Sequence, residues 1–146
     1  CVQSLAKIAS HVEPYRGLRF SDNLRRDQQK QNIASSAVYL ADTQDVRAIV
    51  VITRKGRMAN YVANCCPRKS LIFAFSNESR TRRQLALCRG VYAHRINFSQ
   101  DPEKTLSTAF RHLLDKEEFE VGETVVVISD VLAGTGTDAI QVREVR

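Results

Sequence analysis

Residues 48–67, AIVVITRKGRMANYVANCCP, contain a buried-strand pattern followed at once by a helical pattern. The run AIVVI is apolar and rich in β-branched side chains, which is typical of a strand buried on both faces. Met58, Val62 and Cys65 then recur at helical spacing, and the helix is predicted to end before Pro67. A strand that leads directly into a helix indicates one β–α unit of a parallel sheet.

The same alternation of strands and helices extends to both sides of this stretch. Further buried strands are predicted at 71–75 and 124–129, a short strand at 91–94, and an alternating edge strand at 139–145. Helices are predicted at 2–12, from about residue 30, after a cap near Asn77 or Ser79, and after the cap Asp101 with Pro102 as first helical residue. The loop before the last strand is short, so that strand is expected to be antiparallel. The predicted fold class is α/β, a three-layer α/β/α domain whose five-stranded sheet is mostly parallel with the last strand antiparallel.

Length and composition suit one globular domain. The chain has 146 residues, 43% of them hydrophobic and 26% charged, which is enough for a core without disulfides or metals. No apolar run approaches the roughly 18 residues of a spanning helix, and no signal peptide is recognised, so no membrane partner is expected. The chain opens with Cys1 inside a helical pattern, which suggests a piece of a longer polypeptide. We expect a terminal helix at 1–13, a connector at 14–29 and an α/β domain at 30–146.

Catalytic and metal-binding patterns are thin. The four cysteines, Cys1, Cys65, Cys66 and Cys88, lack the convergent spacing of a zinc site. We expect reduced thiols in a cytoplasmic protein, and buried apolar roles are favoured over a nucleophilic role for Cys65 or Cys66. The scattered histidines are interpreted as structural or surface residues, and the acidic run 115–120 as a solvated helix end. No catalytic residue and no metal ligand is predicted.

Positive charge is concentrated in the middle third of the chain. Residues 54–95 hold 10 basic and 1 acidic side chains, net +9, against +2 for residues 1–53 and −5 for residues 96–146. A local excess of this kind favours an anion site. Nucleic acid is not the expected partner, because aromatic residues are poorly interleaved with the cations and no recognition motif occurs.

The turn after the strand 48–52 is predicted to form half of a phosphate pocket. Ligands of open α/β sheets bind beyond the carboxyl ends of the strands, and unpaired N–H groups at the start of the next helix favour anions. A glycine-bearing loop after another strand is expected to close over the same anion. The predicted binding residues are Thr53, Arg54, Lys55, Gly56, Arg57, Met58, Gly134, Thr135, Gly136 and Thr137. A solvated basic turn without a ligand is the alternative, since no P-loop or dinucleotide-binding glycine pattern occurs.

These segments together resemble the C-terminal domain of pyruvate kinase. The resemblance rests on AIVVITRKGRMANYVANCCPRKSLIFAFS (48–76), on LALCRGVYA (85–93) with its Arg89-Gly90-Val91, and on VGETVVVIS (121–129). The opening helix, CVQSLAKIASHVEP (1–14), is similar to the last helix of the family's catalytic barrel. The resemblance therefore covers nearly the whole chain.

The resemblance implies a regulatory and subunit-contact domain of a homotetramer. The parent enzyme would transfer phosphate from phosphoenolpyruvate to ADP in glycolysis. Its magnesium and potassium would be held in the barrel, so this chain alone is expected to be inactive and without cofactors. The implied partners are the rest of a pyruvate kinase chain, further copies of it, and a phosphorylated effector or inorganic anion. A free-standing module that binds a phosphorylated metabolite is the alternative function.

The resemblance also implies roles for the predicted pocket. In members that bind sugar phosphates, the turn matching Thr53–Met58 holds the effector's phosphate, and the loop matching Gly134–Thr137 folds over it. Those members often carry serine or threonine where this chain has Lys55 and Met58. A cation that contacts the second phosphate in some members corresponds to Thr105 here, with a lysine adjacent to it. A sugar bisphosphate is therefore not expected to be a strong effector.

Overall fold

The described part of the chain folds into helices and strands in the predicted order. The computed structural model describes residues 2–12, 29–129 and 139–146. The helices are α1 (Val2–Val12), α2 (Gln29–Gln44), α3 (Arg57–Asn64), α4 (Ser79–Leu85) and α5 (Pro102–Lys116). The strands are β1 (Ala48–Ile52), β2 (Leu71–Ser76), β3 (Val91–Arg95), β4 (Thr124–Ser129) and β5 (Ala139–Glu144). The predicted connector lies outside the described residues, except that its last residue, Gln29, is already the first of α2.

The five strands form one sheet in the order β3-β2-β1-β4-β5. The pairs β1–β2, β1–β4 and β2–β3 are parallel, whereas β4 and β5 pair antiparallel. The chain thus builds the sheet outward from β1 to β3 and then returns to the other side of β1. This topology confirms the predicted fold class, including the antiparallel last strand.

Two apolar cores lie on opposite faces of the sheet because β1 alternates its buried side chains between them. Ile49 and Val51 join a core with residues of α2 and α3, whereas Ala48, Val50 and Ile52 join a core with residues of α5. All five residues of β1 are 0% exposed. The apolar run at 48–52 is therefore the centre of a three-layer domain, as a strand covered on both faces must be.

Arg47 holds the amino end of β1 to the segment that follows α5. Its guanidinium donates hydrogen bonds to the backbone oxygens of Glu118 and Glu117, at 2.8 and 3.4 Å, and lies 3.4 Å from a carboxylate oxygen of Glu123. It also lies over the ring of Phe119, 4.4 Å from the ring centroid. These contacts join the start of the central strand to residues about 70 positions later.

One predicted helix cap is confirmed and the other is wrong. Asp101 caps α5, and its side chain accepts a hydrogen bond from the N–H of Glu103 at 3.0 Å. The N-cap of α4 is Glu78, with no side-chain capping bond, rather than Asn77 or Ser79. Contacts outside the helix fix this start, because the hydroxyl of Ser76 accepts from the N–H of Glu78 at 3.2 Å and itself donates to the backbone oxygen of Arg54, in the turn after β1, at 3.2 Å. A tertiary contact of this kind overrides the local capping preference.

Helix α1 exposes its apolar side chains. Val2, Leu5, Ile8 and Val12 are 58–80% exposed, and no residue of the helix is buried. The predicted amphipathic helix at 2–12 is therefore present, with its apolar side chains uncovered in this chain. Within the described residues, no helix combines the length and the apolar character needed to cross a bilayer.

Candidate functional site

The turn between β1 and α3 lies at the carboxyl end of β1, where the sequence places its candidate pocket. Thr53 is fully buried, its N–H donates to the backbone oxygen of Phe75 at 2.9 Å, and its hydroxyl accepts from the N–H of Gly56 at 3.1 Å. Its hydroxyl oxygen therefore helps to shape the turn, and its burial keeps it away from the surface on which a solvated anion would arrive.

Gly56 occupies a backbone position that favours glycine. Its φ is 75°, in the left-handed region, and it is the N-cap of α3. An added Cβ would lie 3.1 Å from the Cγ2 of Thr81 and 3.3 Å from two side-chain carbons of Leu85. The turn is held from the same side, since the hydroxyls of Thr81 and Ser76 donate to the backbone oxygen of Arg54 at 2.8 and 3.2 Å. Helix α4 therefore braces the turn, and the tight contact together with the left-handed backbone angle disfavours any side chain at Gly56.

The predicted pocket residues of the turn divide into a buried set and an exposed set. Thr53, Gly56 and Met58 are buried, and Met58 packs in the core with α2. Arg54, Lys55 and Arg57 are exposed. The side chain of Met58 therefore contributes to packing, and the three cations are the side chains of the turn that reach solvent.

The other residues named for the pocket lie elsewhere. Gly134, Thr135, Gly136 and Thr137 fall outside the described residues. Thr105 is 1% exposed, and its hydroxyl accepts from the N–H of Ser99 at 2.9 Å and is 3.5 Å from the backbone oxygen of Asp101. Thr105 thus fastens the start of α5.

Two histidines and a glutamate meet between β3 and the end of α5, a grouping that sequence spacing did not reveal. The Nε2 of His112 lies 2.8 Å from the Nδ1 of His94, and the Nε2 of His94 lies 3.3 Å from a carboxylate oxygen of Glu117. That second pair lacks hydrogen-bond geometry, so the buried Nε2 of His94 has no hydrogen-bond partner. One donor atom from each of the three residues falls within 4.8 Å of the others.

Burial keeps both histidines neutral over a wider pH range than usual. It is the largest cause lowering the pKa of His94, and nearby His112, Lys116 and Arg82 lower that pKa further while Glu117 raises it. Burial also lowers the pKa of His112, followed by Lys116, against Glu117 and Asp115, which raise it. The neutral imidazole is therefore favoured at both positions.

Comparison with known proteins matches this chain to one family. The family model described as "Pyruvate kinase, alpha/beta domain" matches residues 31–143. The chain belongs to this pyruvate kinase domain family. The resemblance seen in the sequence is thereby confirmed: the chain is a pyruvate kinase C-terminal domain.

Individual pyruvate kinases match over part of their length. Pyruvate kinase isozyme G, chloroplastic, of Ricinus communis is 38% identical over 117 residues, which are 77% of this chain and 28% of that protein. Pyruvate kinase isozyme A, chloroplastic, of Nicotiana tabacum is 33% identical over 116 residues, 77% of this chain and 18% of that protein. The solved structure of Cryptosporidium parvum pyruvate kinase in complex with ADP has the same fold, with a TM-score of 0.76 at 20% identity over 86% of this chain and 25% of that chain. This chain therefore spans less than a third of each of these pyruvate kinases.

Proposed function

We propose that the chain is the regulatory and subunit-contact domain of a pyruvate kinase. The rest of that enzyme would transfer phosphate from phosphoenolpyruvate to ADP in glycolysis, using magnesium and potassium bound in its catalytic barrel. The observation that carries the proposal is the family match over residues 31–143. The sheet order β3-β2-β1-β4-β5 with an antiparallel last strand supports it.

A coupled assay tests the division of labour between this chain and the rest of the enzyme. The 146-residue chain, purified to constant composition, is expected to show no turnover of phosphoenolpyruvate and ADP with magnesium and potassium. A longer product of the same gene that includes an upstream barrel is expected to turn over both substrates. Turnover by the short chain that survives repurification would contradict the proposal, and so would a gene without upstream coding sequence.

The regulatory role is proposed to act through anion binding at the turn 53–58. Three features support this site: its place at the carboxyl end of β1, the exposed cations Arg54, Lys55 and Arg57, and the start of α3 directly after Gly56. Exposed cations attract any anion, but salt screens that attraction over about 8–10 Å. The N–H groups of the first helical turn would add direction to the contact.

A monophosphate or inorganic anion suits this turn better than a sugar bisphosphate. Thr53 is buried with its hydroxyl oxygen bonded inside the turn, and Thr105, the residue that the resemblance matches to a cation of some family members, is buried as well. Charge-assisted hydrogen bonds contribute about 1.5–3 kcal/mol each. Two missing bonds would therefore weaken a bisphosphate by roughly two to four powers of ten, at about 1.4 kcal/mol per power.

Calorimetry with matched variants tests the site and its selectivity. Sulfate, ribose 5-phosphate, AMP and fructose 1,6-bisphosphate are titrated into the native chain and into a Lys55→Ala, Arg57→Ala double variant. An Arg68→Ala, Arg89→Ala variant is the control, because it removes the same charge before β2 and β3, at the amino-end edge of the sheet. We expect sulfate affinity to fall roughly tenfold in the first variant, and less than about threefold in the control. Equal losses in both variants would remove the site, and micromolar binding of the bisphosphate would refute the selectivity.

The exposed helix α1 is proposed to pack against the rest of the enzyme. Val2, Leu5, Ile8 and Val12 of α1 are more than half exposed, and we propose that the barrel covers them in the whole enzyme. Amide exchange in α1 is expected to be fast in the isolated chain and slow in the longer protein. Exchange in an isolated, monomeric chain as slow as in β1 would contradict this assignment.

Two parts of the proposal concern the setting of the enzyme. A homotetramer is proposed for the whole enzyme, and light scattering of the longer protein measures it directly. A cytoplasmic location is proposed for the protein, whereas the names of the two plant relatives place those proteins in chloroplasts. Fractionation of the source cells distinguishes the two compartments.

A further inference from the structure

We propose that His94, His112 and Glu117 form a binding site for a divalent transition-metal ion such as Zn²⁺. The site lies between β3 and the end of α5. The turn 53–58, in contrast, joins β1 to α3. It lies outside the catalytic barrel, for which the magnesium and potassium sites are implied.

The distances between donor atoms suit a small tetrahedral ion. Two ligands each about 2.1 Å from a tetrahedral metal are about 3.4 Å apart. The Nε2 of His94 and the carboxylate oxygen of Glu117 are already 3.3 Å apart. The Nε2 of His112 is 2.8 Å from the other ring nitrogen of His94, within the 4.8 Å span of the group. Rotation of the His112 ring toward the ion would complete three protein ligands.

A buried nitrogen that makes no hydrogen bond points to the same place. The Nε2 of His94 is buried without a hydrogen-bond partner, and buried polar atoms in native proteins nearly always have one. A metal ion bound there would satisfy this nitrogen and the facing carboxylate together. Neutral imidazoles are the ligating form, and burial favours that form at both histidines.

The donor set selects the class of metal. Two imidazole nitrogens and one carboxylate suit zinc and its neighbours in the first transition row, whereas magnesium prefers oxygen ligands in an octahedral arrangement. With three protein ligands, the fourth position would be left to water. Lys116 and Arg82 act against a cation here, as they do against a protonated His94. The site is therefore expected to bind more weakly than structural zinc sites closed by four protein ligands.

Binding would tie an edge of the sheet to a helix. His94 belongs to β3, which is an end strand in the sheet order, and His112 belongs to α5, with Glu117 as the C-cap of that helix. The two histidine rings already touch across this junction, with centroids 4.4 Å apart. A bound ion is thus expected to raise the stability of the folded chain.

Metal titration of the chelator-treated 146-residue chain tests the site. Calorimetry in the presence of a non-coordinating reductant is expected to show one Zn²⁺ per chain and no Mg²⁺ binding under the same conditions. Replacing His112 by alanine is expected to lower Zn²⁺ affinity at least about tenfold, and Glu117→Gln to lower it by a similar factor, because each change removes one of three protein ligands. His11→Ala is the matched control, because His11 lies on the exposed helix α1, and its affinity is expected to be unchanged.

Cobalt distinguishes this site from the cysteines. Co²⁺ bound by nitrogen and oxygen lacks the strong near-ultraviolet charge-transfer band that thiolate ligands give. We expect the native chain to bind Co²⁺ without that band, and we expect Zn²⁺ to displace the bound Co²⁺. A thiolate band, no Zn²⁺ binding, or unchanged affinity in Glu117→Gln would overturn the proposal. If His112→Ala fails to fold by circular dichroism, the Glu117→Gln variant and the cobalt spectrum of the native chain still decide it.

Discussion

Replacing Gly56 by alanine is expected to destabilise the domain more than the same change at another left-handed glycine. Gly56 and Gly90 have similar backbone angles, with φ of 75° and 68°. An added Cβ at Gly56 would press on Thr81 and Leu85, whereas at Gly90 it would meet nothing within 4 Å. Comparing the two variants therefore separates the cost of the contact from the cost of the backbone angle.

The expected magnitude follows from these two terms. A left-handed angle costs a residue with a Cβ about 1–2 kcal/mol, and this term is shared by both variants. The contact of 3.1 Å falls on Thr81, whose hydroxyl donates to the backbone oxygen of Arg54 at 2.8 Å. Moving Thr81 aside would weaken that hydrogen bond, which is worth about 0.5–1.5 kcal/mol. Gly56→Ala is therefore expected to lose about 2–3 kcal/mol of unfolding free energy, and Gly90→Ala about 1–2 kcal/mol.

Urea unfolding at fixed pH, followed by circular dichroism, measures both losses. At this chain length, one kcal/mol corresponds to a shift in melting temperature of about 4 °C, so thermal scans provide a second measurement. Sulfate binding of Gly56→Ala is expected to fall as well, because the start of α3 would move. Equal losses in the two variants would refute the reasoning, since they would show that the neighbouring side chains yield without cost.

Three further changes test other parts of the structure. Leu113→Ala, at a fully buried residue of α5, is expected to lower the unfolding free energy in urea by about 2–5 kcal/mol. Leu87→Ala is the control and should change this free energy little, because the Leu87 side chain is 91% exposed. Similar losses at both sites would contradict the assigned core. Asp101→Ala is expected to cost about 0.5–2 kcal/mol because the α5 cap is lost, whereas an unchanged urea midpoint would show that the cap contributes nothing. The folded state lowers the pKa of His94 and His112. The two neutral histidines should therefore contribute fully to the free energy of unfolding above their unfolded-state pKa of about 6.5, and this contribution should be lost as the pH falls through their lower folded-state pKa. Urea unfolding with a chelator between about pH 5 and 8 checks this. If stability rose on acidification in the native chain but not after the two histidines were replaced, the sign of the effect would be opposite to the one expected.

The sheet was predictable because its inner strands carry their own pattern. Runs such as AIVVI (48–52) and VVVI (125–128) are apolar at every position, so burial on both faces could be inferred without knowing the neighbours. The cap Asp101 was equally local, since the bond it accepts comes from a residue two positions later. The start of α4 was not predictable in this way, because it depends on contacts with the turn after β1.

The candidate sites show the same division between local and distant information. The turn 53–58 could be located from one β–α unit, but the burial of Thr53 depends on how other parts of the fold cover it. The histidine cluster joins residues 18 positions apart on a strand and a helix. The sequence indicated only which face of β3 carries His94, because His94 stands two residues after Tyr92 and so shares its face of the strand. Only the packing of α5 against that face could show that His112 meets it.

The polar residues at the two ends of β1 have a consequence for how the central strand finds its alignment. A shift of one position would exchange the side chains that face the two cores, yet both sets are apolar, so polarity opposes the error only weakly. Arg47 and Thr53 do not tolerate it: a slipped strand would pull the guanidinium from the backbone oxygens after α5 and the threonine hydroxyl from the N–H of Gly56. The five apolar residues of β1 thus supply buried surface to both cores, and the two polar side chains that flank them fix the register of the strand. Insertions between these two residues should therefore be rarer among natural variants than insertions in the loops.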